Sequence, residues 1–87
     1  MNNVDFGVRL TLFTRNACPL CDHMALALEL MRPRYDFQYE KMDVDSDPKL
    51  ANRYGLRVPV LVDEETEICS GHCDPNTIEA YLGAGRI

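Results

Sequence analysis

Three times along this chain, a side chain that can accept a hydrogen bond stands directly before a proline: Cys18-Pro19, Asp47-Pro48 and Asp74-Pro75. Proline suits the first helical position, since its missing N–H would be unpaired there anyway and its φ is already helical. An acceptor one residue earlier satisfies the orphan N–H groups of the first turn. The chain therefore marks three helix starts, and the stretches between them read as strands. Val8 to Phe13 alternates with period two and is rich in strand formers. Tyr35, Phe37 and Tyr39 alternate with Asp36, Gln38 and Glu40 and continue to Met42 and Val44. Val58 to Val62 predicts a third strand, and Thr66 to Cys69 a short fourth after the acidic turn at Asp63-Glu64-Glu65.

The first helix is expected over Pro19 to Arg32, stopped by Pro33, which pushes its predecessor out of the α region. Leu20, Met24, Ala27, Leu28 and Met31 form its apolar stripe, and Leu26 and Leu30 are expected to broaden it. A second, short helix opens at Pro48 and ends at Gly55 as its C′ residue. The last carries Ile78, Tyr81 and Leu82 inward before Gly83 and Gly85. Residues 1–7, with Phe6, read as a loose lead-in. The order β-α-β-α-β-β-α predicts an α/β fold: a four-stranded mixed sheet flanked by three helices, in a single domain over residues 1–87.

Composition narrows the function. Fourteen acidic against nine basic side chains give a net charge of −5 over 87 residues, leaving little positive surface for a nucleic-acid backbone. No run approaches the roughly 18 apolar residues of a membrane span, and no secretory pattern opens the sequence. The expectation is a cytoplasmic monomer with no nucleic-acid or membrane partner.

Four cysteines carry the chemistry: Cys18 and Cys21 as CxxC, Cys69 and Cys73 as CxxxC. As the N-cap of the first helix, Cys18 can accept from the N–H of Leu20 or Cys21, while the positive end of the helix dipole favours a thiolate. That makes Cys18 the more acidic and more nucleophilic thiol. Cys21, one turn on, stands ready to displace whatever becomes attached to Cys18. Arg15 is expected to add positive charge at the mouth. The second pair stays open between buried thiols and a Cys69–Cys73 disulfide that relays electrons or regulates. His23 reads as a solvated residue.

Phe13-Thr14-Arg15-Asn16-Ala17-Cys18-Pro19-Leu20-Cys21 resembles the strand, loop and redox motif of the glutaredoxins, within the thioredoxin-like superfamily. Gly55-Leu56-Arg57-Val58-Pro59-Val60-Leu61 resembles the family's cis-proline segment, and Gly71-His72-Cys73-Asp74 its turn before the last helix. The likeness covers residues 8 to about 82 and is strongest to small bacterial glutaredoxin-like proteins. It implies Cys18 as nucleophile and Cys21 as resolving thiol. It also implies a substrate groove of Arg15, Leu20, Arg57, Val58, Pro59, His72, Cys73 and Asp74. Val58 would offer its backbone to the substrate, and Asp74 would meet the free amine of a bound glutathione.

Three positions depart from the family pattern. Leu20 stands where an aromatic residue is usual, Arg57 replaces a threonine, and His72 replaces the turn's second glycine. The resulting expectation is a thiol–disulfide oxidoreductase acting on protein or small-molecule disulfides, with glutathione or a thioredoxin-type reductase as reductant. No tightly bound cofactor or metal is expected, and glutathione is a candidate co-substrate. Two other readings stand beside it. One is a zinc or iron–sulfur carrier using the cysteines; the other is a thioredoxin-like adaptor that binds through the Pro59 groove without turnover.

Overall fold

A computed structural model describes residues 8–84. The lead-in at residues 1–7, with Phe6, and Gly85 lie outside the described residues. The strands are β1 (Val8–Thr14), β2 (Phe37–Asp43), β3 (Val60–Asp63) and β4 (Thr66–Ser70). The helices are α1 (Pro19–Met31), α2 (Pro48–Tyr54) and α3 (Pro75–Ala84), with a single 3-10 turn at Val44–Ser46. The sheet order is β2-β1-β3-β4. β1 runs parallel to β2 and antiparallel to β3, and β3 is antiparallel to β4, so the sheet is mixed as expected.

Strand alternation divides the core into two layers. Val8, Leu10 and Leu12 of β1 and Leu61 of β3 join Met24, Leu28 and Met31 of α1 and Ile78 and Leu82 of α3 in one buried cluster. Phe13 of β1 and Val60 and Val62 of β3 join Val44 of the 3-10 turn and Tyr54 of α2 in the other. Phe13 and Tyr54 stack with ring centroids 4.1 Å apart. β3, short and apolar on both faces, is thus central, as an uninterrupted Val-Leu-Val run requires.

All three acceptor–proline pairs open helices. Asp47 Oδ1 accepts from Lys49 N and Asp74 Oδ1 from Asn76 N, both at 2.9 Å. Several expectations are corrected. α1 ends at Met31, with Arg32 as its C-cap. Its buried face is Cys21, Met24, Ala25, Leu28 and Met31. Leu26 and Leu30 are 59% and 67% exposed, so they do not widen the stripe. The sheet covers only a narrow strip of α1, and α3 shares the same layer. β2 begins at Phe37 because backbone bonds from Arg34 N and Tyr35 N to Met31 O hold the preceding residues in a turn. Val44 belongs to the 3-10 turn, and β3 starts two residues after Val58.

Gly55 is also not a left-handed C′ residue. Its φ of −55° is helical, and it serves as the C-cap of α2. Its lack of a side chain has another cause: a Cβ there would lie 2.5 Å from Ala51 O and 2.9 Å from Arg15 Nη2.

Candidate functional site

The loop between β1 and α1 turns at Ala17, whose φ of 55° lies in the left-handed region. That conformation is unfavourable for a residue with a Cβ by about 1–2 kcal/mol. It delivers Cys18 in an extended conformation (φ −119°, ψ 98°) at the N-cap of α1. Cys18 Sγ accepts from the Cys21 N–H at 3.1 Å, as the motif predicts. Cys18 and Cys21 are joined as a disulfide with Cα atoms 5.2 Å apart. Cys18 is half-buried, whereas Cys21 is only 3% exposed and sits on the core face of α1. A thiol or disulfide arriving from solvent therefore meets Cys18 first.

The Val58–Pro59 peptide bond is cis. Pro59 directly precedes Val60, which pairs with Phe13, so it lies beside the end of β1 that leads to the cysteine loop. Pro59 is buried, and Val58 is half-buried against the α2-side cluster. The turn between β4 and α3 is attached to this segment through one donor. Gly71 N–H reaches Pro59 O at 2.8 Å and Arg57 O at 3.2 Å. Gly71 has φ 65°, the conformation for which glycine is the ordinary choice.

A cleft of about 220 Å³ runs between α1 and that turn. Leu20, His23 and Met24 line one side, Gly71, His72 and Cys73 the other, and Ile78 is also on its lining. Five of the expected groove positions are therefore gathered at two places: Val58 and Pro59 just before β3, and Leu20 facing His72 and Cys73 across the cleft. Asp74 is exposed and caps α3. His23, read from sequence as solvated, is exposed but belongs to the cleft. Its spacing of three from Leu20 on a helix was the signal that placed both on one face.

The two arginines expected at the groove hold other partners. Arg15 donates through Nε and Nη2 to Asp45 at 3.0 and 3.1 Å, and through Nη1 to Gly55 O at 3.1 Å. Its charge is matched by Asp45 and braces the cysteine loop against the C-terminus of α2, rather than standing free at the thiol mouth. The hydrogen bond from Arg15 holds the Asp45 carboxyl below the usual carboxylate range. Asp45 in turn raises Arg15. Arg57 Nη1 pairs with Glu67 Oε2 at 2.7 Å, and its guanidinium lies 5.6 Å from the Tyr54 ring centroid. The charge of Arg57, next to Val58, is thus matched by Glu67.

Cys69 and Cys73 form a second disulfide, with Cα atoms 5.6 Å apart, so the second pair is bonded to itself. Among the described residues, no group of three or more His, Cys, Asp or Glu side chains is placed to hold a metal ion. Nor is any helix among them long and apolar enough to cross a membrane.

Comparison with known proteins agrees with this geometry. Protein Ne2328 from Nitrosomonas europaea, solved by NMR, is 34% identical with a TM-score of 0.77, over 94% of this chain and 99% of that one. The X-ray structure of protein XcR50 from X. campestris is 37% identical with a TM-score of 0.70, over 86% and 96%. A thioredoxin mutant from Halobacterium salinarum is 27% identical with a TM-score of 0.64, over 88% of this chain and 73% of that one. No curated protein sequence matches the chain. The family model for the glutaredoxin-like domain (DUF836) matches residues 9–83. With a thioredoxin-like fold and a paired CxxC at the head of α1, the chain belongs to the glutaredoxin-like domain family.

Proposed function

We propose that this chain is a thiol–disulfide oxidoreductase that reduces protein disulfides or glutathione mixed disulfides through Cys18 and Cys21. The observation that carries the reading is the Cys21 N–H directed at Cys18 Sγ at the N-terminus of α1. A backbone donor and the helix dipole together stabilise negative charge on that sulfur. In the reduced protein the Cys18 thiolate attacks one substrate sulfur, forming a mixed disulfide and releasing the other as a thiolate that takes up a proton. The Cys21 thiolate then attacks Cys18 Sγ, closing the Cys18–Cys21 disulfide and releasing the second substrate thiol. Two electrons pass to the substrate. Glutathione or a thioredoxin-type reductase returns them.

Leu20 and His72 leave the cleft without the aromatic contact and open glycine turn that favour a glutathionyl group. Arg57 is occupied by Glu67. These features favour protein disulfides over glutathione as substrate. The enzyme works as a cytoplasmic monomer with no tightly bound cofactor. The test is steady-state reduction of a protein disulfide and of a glutathionyl disulfide by wild type, Cys18→Ser and Cys21→Ser. Cys18→Ser abolishes both activities, and Cys21→Ser blocks turnover of the protein disulfide. Cys21→Ser turning over protein disulfides at the wild-type rate overturns the role of Cys21. A wild-type chain that reduces neither substrate but binds iron or zinc stoichiometrically replaces the reading with a carrier.

A further inference from the structure

We propose that Cys69 and Cys73 are a second redox-active pair that controls how the first pair takes substrate. This rests on the thiol–disulfide reading above and adds a regulator to that site. The pair closes a loop around Ser70, Gly71 and His72, between the end of β4 and the cap of α3. That loop is the one joined through Gly71 N–H to Pro59 O and Arg57 O. Cys73 also lines the cleft opposite Leu20 of the redox motif. The covalent bond therefore fixes one wall of the cleft at the segment that flanks the cis-proline.

A purely structural role explains the pair poorly. A disulfide closing so short a loop removes little entropy from the unfolded chain, less than one closing a long loop. The turn already has its own supports: the two bonds from Gly71, Cys73 N–H to Gly71 O at 2.9 Å, and the Asp74 cap. Cys69 sits beside a register shift between Leu61 and Val62 in the β3–β4 pairing, where the ladder is interrupted. Both cysteines are only partly buried. Packed against the core but not enclosed by it, the bond stays within reach of an external thiolate.

The step is an ordinary exchange with an external dithiol or with two molecules of a monothiol such as glutathione. One reductant thiolate attacks Cys73 Sγ from the cleft, breaking the Cys69–Cys73 bond and forming a mixed disulfide. The Cys69 thiolate leaves and takes up a proton. The second reductant thiolate then displaces Cys73, so the reductant is oxidised to a disulfide and the pair gains two electrons and two protons. With the bond open, the turn keeps its hydrogen bonds and its packing against the core but loses the covalent tie between the end of β4 and the cap of α3. The cleft wall loses its preorganisation, and substrate binding weakens.

Two measurements decide the proposal. The Cys18→Ser/Cys21→Ser variant is equilibrated in glutathione buffers of graded potential, alkylated, and weighed intact. The expected result is a reversible transition between no free thiols and two. A pair that stays oxidised, or stays reduced, across the whole range overturns the proposal, and this readout does not depend on activity at the first pair. Protein-disulfide reduction is then compared between wild type with the second pair oxidised and the Cys69→Ser/Cys73→Ser variant. The variant is expected to lose at least about fivefold in kcat/KM, the lower end of coupling between two sites. The loss falls mainly in KM. Equal kcat/KM for the two proteins overturns the control. If neither protein reduces any disulfide, the proposed function fails, while the thiol titration still reports on the second pair.

Discussion

Gly55→Ala is expected to destabilise the protein even though the backbone there is helical. Alanine is favoured over glycine in a helix by about 1 kcal/mol, so propensity alone predicts a gain. The surroundings reverse it. The new Cβ would meet Ala51 O at 2.5 Å, a backbone atom that cannot swing aside, and Arg15 Nη2 at 2.9 Å. Forcing a methyl into such a site costs about 1–3 kcal/mol, and a backbone contact this close belongs at the upper end. Setting about 3 against about 1 leaves a net loss near 2 kcal/mol. For a domain of this size that lowers Tm by roughly 10 °C. Relief of the clash also displaces the Arg15 guanidinium from Gly55 O and Asp45, loosening the brace between the cysteine loop and α2. The assay is thermal and urea denaturation of wild type, Gly55→Ala, Arg15→Ala and the double variant. Part of the Gly55→Ala loss should vanish in the Arg15→Ala background, because one of the two clashing groups is gone. A Gly55→Ala protein as stable as wild type refutes the steric reasoning.

On α1, Leu28→Ala should cost about 2–5 kcal/mol because Leu28 is fully buried. Leu30→Ala, at an exposed position two residues on, should stay within about 0.5 kcal/mol; denaturant titration of both checks the narrow stripe. The Tyr39 phenol, which donates to Glu29 at 2.6 Å, has its pKa pushed up to about 12 by partial burial first and by Glu29 second. Folded Tyr39 keeps a proton that the unfolded chain releases near pH 10.0, so its contribution is full below that pH and is lost as pH rises towards 12. Ultraviolet titration of phenolate shows this, and a Tyr39 that ionises in the ordinary range contradicts it. Asp45 behaves in the opposite sense. Its lowered carboxyl stabilises the fold above the ordinary carboxylate range and loses that contribution as pH falls through its folded value. NMR titration should show Asp45 moving back up in Arg15→Ala.

The fold was legible because its signals were local and agreed with one another. Each acceptor–proline pair opened a helix where the hydrogen-bonding logic placed it. The alternation in Val8 to Phe13 placed Val8, Leu10 and Leu12 together on one face, and that face is buried in one core layer. The position of Cys18 followed from the same rule, since an N-cap side chain has a defined donor one turn ahead. What the chain did not disclose was long-range. Leu26 and Leu30 have helical spacing, but spacing cannot say how wide a strip the sheet and α3 leave to cover. Arg15 and Asp45 are thirty residues apart, and nothing in either segment names the other. Arg57 was read as a groove residue from its place beside Val58, whereas the β4 hairpin brings Glu67 to it. Gly55 looked like a C′ glycine by position alone. Its true constraint is the Ala51 carbonyl and the Arg15 guanidinium packed against it.

The central claim is that Cys18 attacks and Cys21 resolves, and one measurement addresses it directly. Reduced Cys21→Ser protein, in a background of Cys69→Ser/Cys73→Ser, is mixed with a disulfide-bonded peptide, quenched with acid, and analysed by intact mass and peptide mapping. The account predicts one peptide joined per chain, at Cys18, and stable until an external thiol is added. The matching Cys18→Ser protein, whose remaining thiol is buried, should form the adduct far more slowly. Adducts formed at equal rates in both variants, or none in the Cys21→Ser protein, would contradict it.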